Sequence, residues 1–244
     1  MSGPVALVVG AGDYIGAAIA KRFARGGFTV CVARRNGDKL APLVAEIEAA
    51  GGVAHGYAMD ARLEESTKEV FARIEAEVGP LEVVIFNVGG NVRFAVGDTT
   101  ERVFRKVWEM ACFAGFLTGR EAAGYMVPRG RGAVFFTGAS ASMRGNPGYA
   151  AFGAAKAGLR SFAQTLAKEI GPKGIHVAHL VIDAGVDTAF VRERIAASGR
   201  DPEALPPDSL MNPESVAEAY WALYQQKRDG WTFELDLRPF AETW

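Results

Sequence analysis

The chain has 244 residues, 49% of them hydrophobic, enough to bury one sizeable core in a single domain spanning 1–244. A formal net charge of −1 gives no field that would draw it to nucleic acid or to anionic lipid, and neither is an expected partner. The opening PVALVVGAG is too short and too poor in basic residues for a signal peptide, and no stretch supplies the ~20 apolar residues of a membrane span.

Short apolar runs alternate with helical patterns from end to end. VALVVG (5–10) reads as the first strand, and YIGAAIAKRFARGG as a helix with Ile15, Ile19 and Phe23 on one face, stopped by paired glycines. FTVCVAR (28–34) is the second strand, followed by a helix in DKLAPLVAEIEAAGG. VAHGYAMD (53–60) is the third, followed by STKEVFARIEAEVG, a helix for which Ser66 offers a cap. LEVVIFNVGG (81–90), GAVFFTGAS (132–140) and GIHVAHLVID (174–183) are further strands, with helices around 101–128 and 152–171. Unbroken apolar strands separated by helices predict an α/β fold, a Rossmann-type doubly wound parallel sheet with helices on both faces. In such a sheet ligands bind beyond the carboxyl ends of the strands. The segment 188–213, rich in charge and proline, reads as a loop-like substrate lid, and WTFELDLRPF near the end as an edge strand. Cys31 and Cys112 lack CxxC spacing, which argues for core residues in a reducing cytoplasm. His176 and His179 point to opposite faces of their strand and make no metal pair.

Gly10, Gly12 and Gly16 follow the first strand and open the first helix, the context in which glycines let backbone amides approach a pyrophosphate at a helix N-terminus. The competing reading is a tight turn that binds nothing. At the end of the second strand stand Arg34 and Arg35, where an acidic residue would select NAD; paired arginines favour the 2′-phosphate of NADP(H) over NAD(H). Asp13 opposes that reading through its charge.

These motifs resemble the short-chain dehydrogenase/reductase family over nearly the whole chain. The glycine motif corresponds to VGAGDYIG (9–16), with Tyr14 in place of a glycine and Ile15 and Gly16 completing it. The resemblance implies that Asp60 binds adenine, that Asn87 and Gly89 of FNVG belong to the cofactor site, and that Val186 and Thr188 lie beside the nicotinamide. The usual Pro-Gly pair before them reads Asp183-Ala184. The resemblance also implies a homodimer or homotetramer acting on a small-molecule substrate.

The catalytic pattern departs from the family's. Its tyrosine falls on Phe152, its serine on Ala139 and its asparagine on Ala111; Lys156 alone remains. Phe152 and Ala139 can neither give nor take a proton. Tyr149, however, precedes Lys156 by seven residues, as in the divergent enoyl-thioester reductases of the same superfamily, and on a helix would share a face with Phe152 and Lys156. A hydroxyl there suits an enolate oxygen displaced from the carbon that receives hydride. Ser140 is the neighbouring candidate for the missing serine; Asn146 and Asp183 are other acids without a spacing argument. The expected activity is NADP(H)-dependent reduction of an α,β-unsaturated carbonyl or a ketone. Its rival is a catalytically silent cofactor binder serving as sensor or assembly partner. Phe190, Arg192, Arg194 and Met211 in 188–213 are in reach of a substrate, although the two arginines equally suit a solvated helix face.

Overall fold

The computed structural model describes residues 3–242. Seven strands, β1 (Val5–Val9), β2 (Thr29–Arg34), β3 (Val53–Ala58), β4 (Leu81–Phe86), β5 (Gly132–Thr137), β6 (Ile175–Ile182) and β7 (Glu234–Leu237), form one sheet in the order β3-β2-β1-β4-β5-β6-β7. Every pairing is parallel. The order reverses between β1 and β4, which opens a crevice at their carboxyl ends.

The alternation of side chains along each strand divides the core in two. Ala6, Val8, Val30, Val32, Ile85 and Phe135 face a layer formed by α1 (Ile15–Arg25), α2 (Ala41–Ala49) and α8 (Pro213–Tyr224). Leu7, Val9, Cys31, Val84, Phe86 and Phe136 face α3 (Glu64–Glu77), α5 (Ala114–Met126) and α6 (Ala150–Ile170). The central strands are buried on both faces, which is why they read as unbroken apolar runs. The remaining helices are α4 (Glu101–Trp108), joined to α5 through a π-helical turn at Glu109–Phe113, and α7 (Ala189–Ala197). Among the described residues no helix is long and apolar enough to cross a membrane.

Three expectations need correction. The segment 188–213 is not a plain loop: α7 and a 3-10 turn at Pro202–Ala204 occupy it, and Val186 pairs with Met211 to close its base. It leads into α8, a helix the charge and prolines of the region had obscured. There Asn212 caps the helix by accepting the Glu214 N–H at 2.9 Å, Pro213 sits in its first turn, and Val216, Ala217, Tyr220 and Leu223 form its buried stripe. Nor does Ser66 cap α3. That helix begins at Glu64, and the Ser66 hydroxyl instead accepts the Asp60 N–H, holding the turn after β3.

Candidate active site

The carboxyl ends of β1, β2 and β4 border a groove of about 550 Å³. Gly10 sits at φ +88°, and a Cβ there would come within 2.9 Å of the Asn87 carbonyl. A Cβ on Gly16 would stand 2.5 Å from the Gly10 oxygen, so only glycine lets α1 start this close to β1. Gly12 differs, because a Cβ there would meet nothing within 4 Å. Its backbone borders open space, as a loop that receives a ligand's phosphates requires. Asn87 locks the loop: its Nδ2 donates to the Gly10 carbonyl at 3.1 Å and its Oδ1 accepts from Thr137 at 3.0 Å. With the Thr137 proton so committed, the Tyr220 hydroxyl, 2.8 Å away, donates to Thr137. One chain of hydrogen bonds thus ties the tips of β1, β4 and β5 to α8.

Tyr14 is exposed and reaches the segment 188–213, where its hydroxyl accepts the Ala189 N–H at 3.1 Å. Ile15, the first residue of α1, packs against the core. Thr188 caps α7 by accepting the Val191 N–H, and buried Val186 anchors the segment before it. Gly89 is exposed on the opposite lip.

The end of the groove at β2 and β3 is basic. Arg34 pairs with Asp13 at 2.9 Å, which neutralises the acid that opposed a phosphate there. Arg35 and Lys39 border the same groove, and among the described residues neither has a carboxylate within ion-pair distance. Asp60 is held by Arg62 through two contacts of 2.9 and 2.6 Å, and these hydrogen bonds pull its pKa below the usual carboxylate range. Lys39 and Arg62 were not singled out from the sequence; the NGDK turn after Arg35 and the DAR after β3 were the available signals.

Beyond the groove, positions distant in sequence converge. Ala111, Cys112 and Val107 of the α4–α5 rod pack with Ala151, Phe152 and Ala155 of α6, and Ala139 and Tyr149 lie against them. Phe152, Ala139 and Ala111 therefore share one apolar cluster. Lys156 lies beneath it, 3% exposed, donating to the Thr137 carbonyl at 2.7 Å and the Val88 carbonyl at 3.3 Å. Burial without a carboxylate partner pushes its pKa down to about 8.

Tyr149 is not inside the helix. It is the residue before α6, and its carbonyl accepts the Gly153 N–H at 2.7 Å. Its ring centroid lies 6.5 Å from that of Phe152, and its hydroxyl accepts a hydrogen bond from Arg194 at 2.7 Å. That leaves the hydroxyl's own proton available to a ligand. Ser140 adjoins Asp183, which is 2% exposed and clamped by Arg144 at 2.9 and 2.7 Å; against its burial, Arg144 and in part Ser140 hold the carboxyl below the usual carboxylate pKa. Among the described residues, no three His, Cys, Asp or Glu side chains stand where they could hold a metal ion.

The family model for short chain dehydrogenase matches residues 4–198. The chain belongs to the short-chain dehydrogenase/reductase family. It is 52% identical to a short-chain dehydrogenase from Rhodopseudomonas palustris, whose crystal structure covers 97% of this chain and 99% of its own at a TM-score of 0.83. A 3beta-hydroxysteroid dehydrogenase of Mediterraneibacter gnavus is 32% identical over 212 residues, 81% of this chain and 75% of that one. An alcohol dehydrogenase from the archaeon Thermococcus sibiricus, solved with 5-hydroxy-NADP, is 25% identical, covers 98% of both chains and has a TM-score of 0.86.

Proposed function

We propose that this member of the family is an NADP(H)-dependent reductase of an α,β-unsaturated carbonyl or a ketone, with Tyr149 in the role that the family's tyrosine holds elsewhere. The observation that carries the reading is Tyr149 itself. Its ring lies against Phe152 at the mouth of the site, and Arg194 fixes its hydroxyl with the proton free to meet a carbonyl oxygen. A bound dinucleotide supplies the hydride. Gly10, Gly12 and Gly16 shape its pyrophosphate cradle, and Asn87 and Gly89 border it. In this reading Asp60 serves the adenine end, Val186 and Thr188 the nicotinamide end, and Lys156 the ribose hydroxyls. Arg35, with Arg34 and Lys39, supports NADP(H) over NAD(H), in line with the NADP derivative bound by the archaeal alcohol dehydrogenase. Ser140, beside Asp183, is the neighbouring candidate to orient the carbonyl.

The segment 188–213 serves as a substrate lid on a single domain. The exposed aromatic row of Phe104, Trp108 and Phe116 supports assembly as a homodimer or homotetramer, and the buried free thiols of Cys31 and Cys112 fit a cytoplasmic protein.

Tyr149→Phe is expected to lower NADPH-dependent turnover of enones and ketones at least about tenfold while NADPH affinity stays nearly unchanged. An unaltered rate removes Tyr149 from the mechanism. The apolar cluster around Phe152 supports the rival reading of a silent cofactor binder; that reading gains if NADPH binds and no acceptor consumes it.

A further inference from the structure

Four arginines crowd the mouth of the site, and they fall into two kinds. Arg144 is paired with Asp183, and Arg192 with Asp187 and Glu203. Arg93 and Arg194 are different: among the described residues no carboxylate lies within ion-pair distance of either. Both nevertheless converge on one ring. The Arg93 guanidinium stands 6.0 Å from the Tyr149 ring centroid, and Arg194 donates to the Tyr149 hydroxyl.

Their placement is built into the backbone. Phe94 N–H donates to the Gly148 carbonyl at 2.9 Å, which draws the loop carrying Arg93 against the residue before Tyr149. Gly148 has φ +85°, and a Cβ there would come within 2.8 Å of the Arg93 side chain, so the absence of a side chain is what lets Arg93 lie down at this point. Arg194 comes from the other side, on α7, with its guanidinium 5.6 Å from the Phe190 ring. A guanidinium has five donors, and the bond to Tyr149 uses one. Phe94 and Phe190, both exposed, provide apolar surface beside the two charges.

Beside Tyr149 these two cations exceed what one developing oxyanion uses, because each guanidinium keeps donors and charge that no carboxylate among the described residues meets. They are matched by a substrate that brings its own negative charge. We infer that the substrate carries a carboxylate or phosphate, held between Arg93 and Arg194 while its carbonyl meets Tyr149. This deepens the proposed reductase reading and rests on it for the placing of the carbonyl. The anion also explains why Arg194 sits on the lid: closing over a charged substrate gives α7 a contact that an empty site lacks.

The test is calorimetric titration of the protein, with and without saturating NADP⁺, using butanoate, butanamide and propyl phosphate as probes. Either anion is expected to bind at least about tenfold more tightly than the amide. That preference should fall at least tenfold in Arg93→Gln and in Arg194→Gln, and persist in Arg73→Gln on the far helix α3. Propyl phosphate binding in preference to butanoate, with the same dependence on Arg93, identifies the anion as a phosphate. Amide and anions binding alike, or anion binding indifferent to Arg93 and Arg194, overturns the inference. Tyr149→Phe separates it from the reductase reading. Anion binding that survives beside an unchanged turnover leaves the anion site standing and removes only the role of Tyr149. Absent anion binding beside slowed turnover removes the anion site alone.

Discussion

Replacing Lys156 with methionine keeps most of the stem and removes the ammonium, and its consequence for stability is a pH dependence of known sign. The ammonium is 3% exposed and faces two carbonyls with no carboxylate beside it. Burial lowers its pKa from 10.5 in the unfolded chain to about 8 in the folded one. Between those values the unfolded chain binds more protons than the folded one, so the wild type gains stability as pH rises. The penalty is fully present below pH ~8 and gone above pH ~10.5; at about 1.4 kcal/mol per pH unit it amounts to roughly 3 kcal/mol. The methionine variant carries no such penalty but leaves the Thr137 and Val88 carbonyls short of a donor, at about 1–3 kcal/mol each. That second cost does not depend on pH. Urea unfolding of both proteins, without dinucleotide, at steps from pH 7.5 to 10 should therefore show the wild type gaining on the variant by about 1.4 kcal/mol per unit at its steepest. A difference that stays flat within about 0.5 kcal/mol over that window would refute the desolvation argument. The same titration has a functional counterpart: if the ammonium holds the ribose hydroxyls, NADPH affinity falls as pH rises through 8 in the wild type and not in the variant.

Other outcomes test the groove. Arg35→Ala combined with Lys39→Ala should weaken NADPH binding about tenfold or more and leave NADH binding within about twofold, read by calorimetry; equal losses would mean that the pair does not meet a 2′-phosphate. Gly12→Ala should keep the melting temperature within about 2 °C while lowering cofactor affinity, because its Cβ meets no protein atom. Gly16→Ala should unfold at markedly lower temperature, since its Cβ would stand 2.5 Å from the Gly10 oxygen. Phe152→Tyr places a hydroxyl among Ala139, Ala111 and Cys112 and should cost about 1–3 kcal/mol in chemical denaturation; adding Ala139→Ser supplies a partner and should recover part of it.

The sheet was legible because β1, β4, β5 and β6 are buried on both faces, so each had to be a continuous apolar run between helices. The glycine loop was legible because Gly10 and Gly16 answer to steric limits that no other residue satisfies. What stayed hidden depended on partners far away in the chain. The α8 stripe lay behind the charge and prolines of 202–213, and only its packing on α1 and the Tyr220–Thr137 bond reveal why it is there. Tyr14 looked like an obstacle because a sequence cannot show that its hydroxyl has a backbone donor at Ala189, 175 residues on. Asp13 looked like a repulsive charge because its pairing with Arg34 is a matter of how two strand ends meet.

The apolar cluster is best understood as one unit. A tyrosine at 152 or an asparagine at 111, both buried, would need a partner for its polar group, at about 1–3 kcal/mol when unpartnered, whereas a serine at the partly buried position 139 would be less constrained. Alanine at 111 and phenylalanine at 152 avoid those costs. The nearest polar ring is then Tyr149, the residue before α6. Tyr149, at the rim, is half-buried, paired through Arg194, and beside Arg93, so its hydroxyl keeps a partner without losing access to a ligand. Lys156 is held beneath the cluster by two carbonyls. The inner cluster and the outer tyrosine are thus two sides of the same packing arrangement: apolar side chains within and a partnered hydroxyl at the rim.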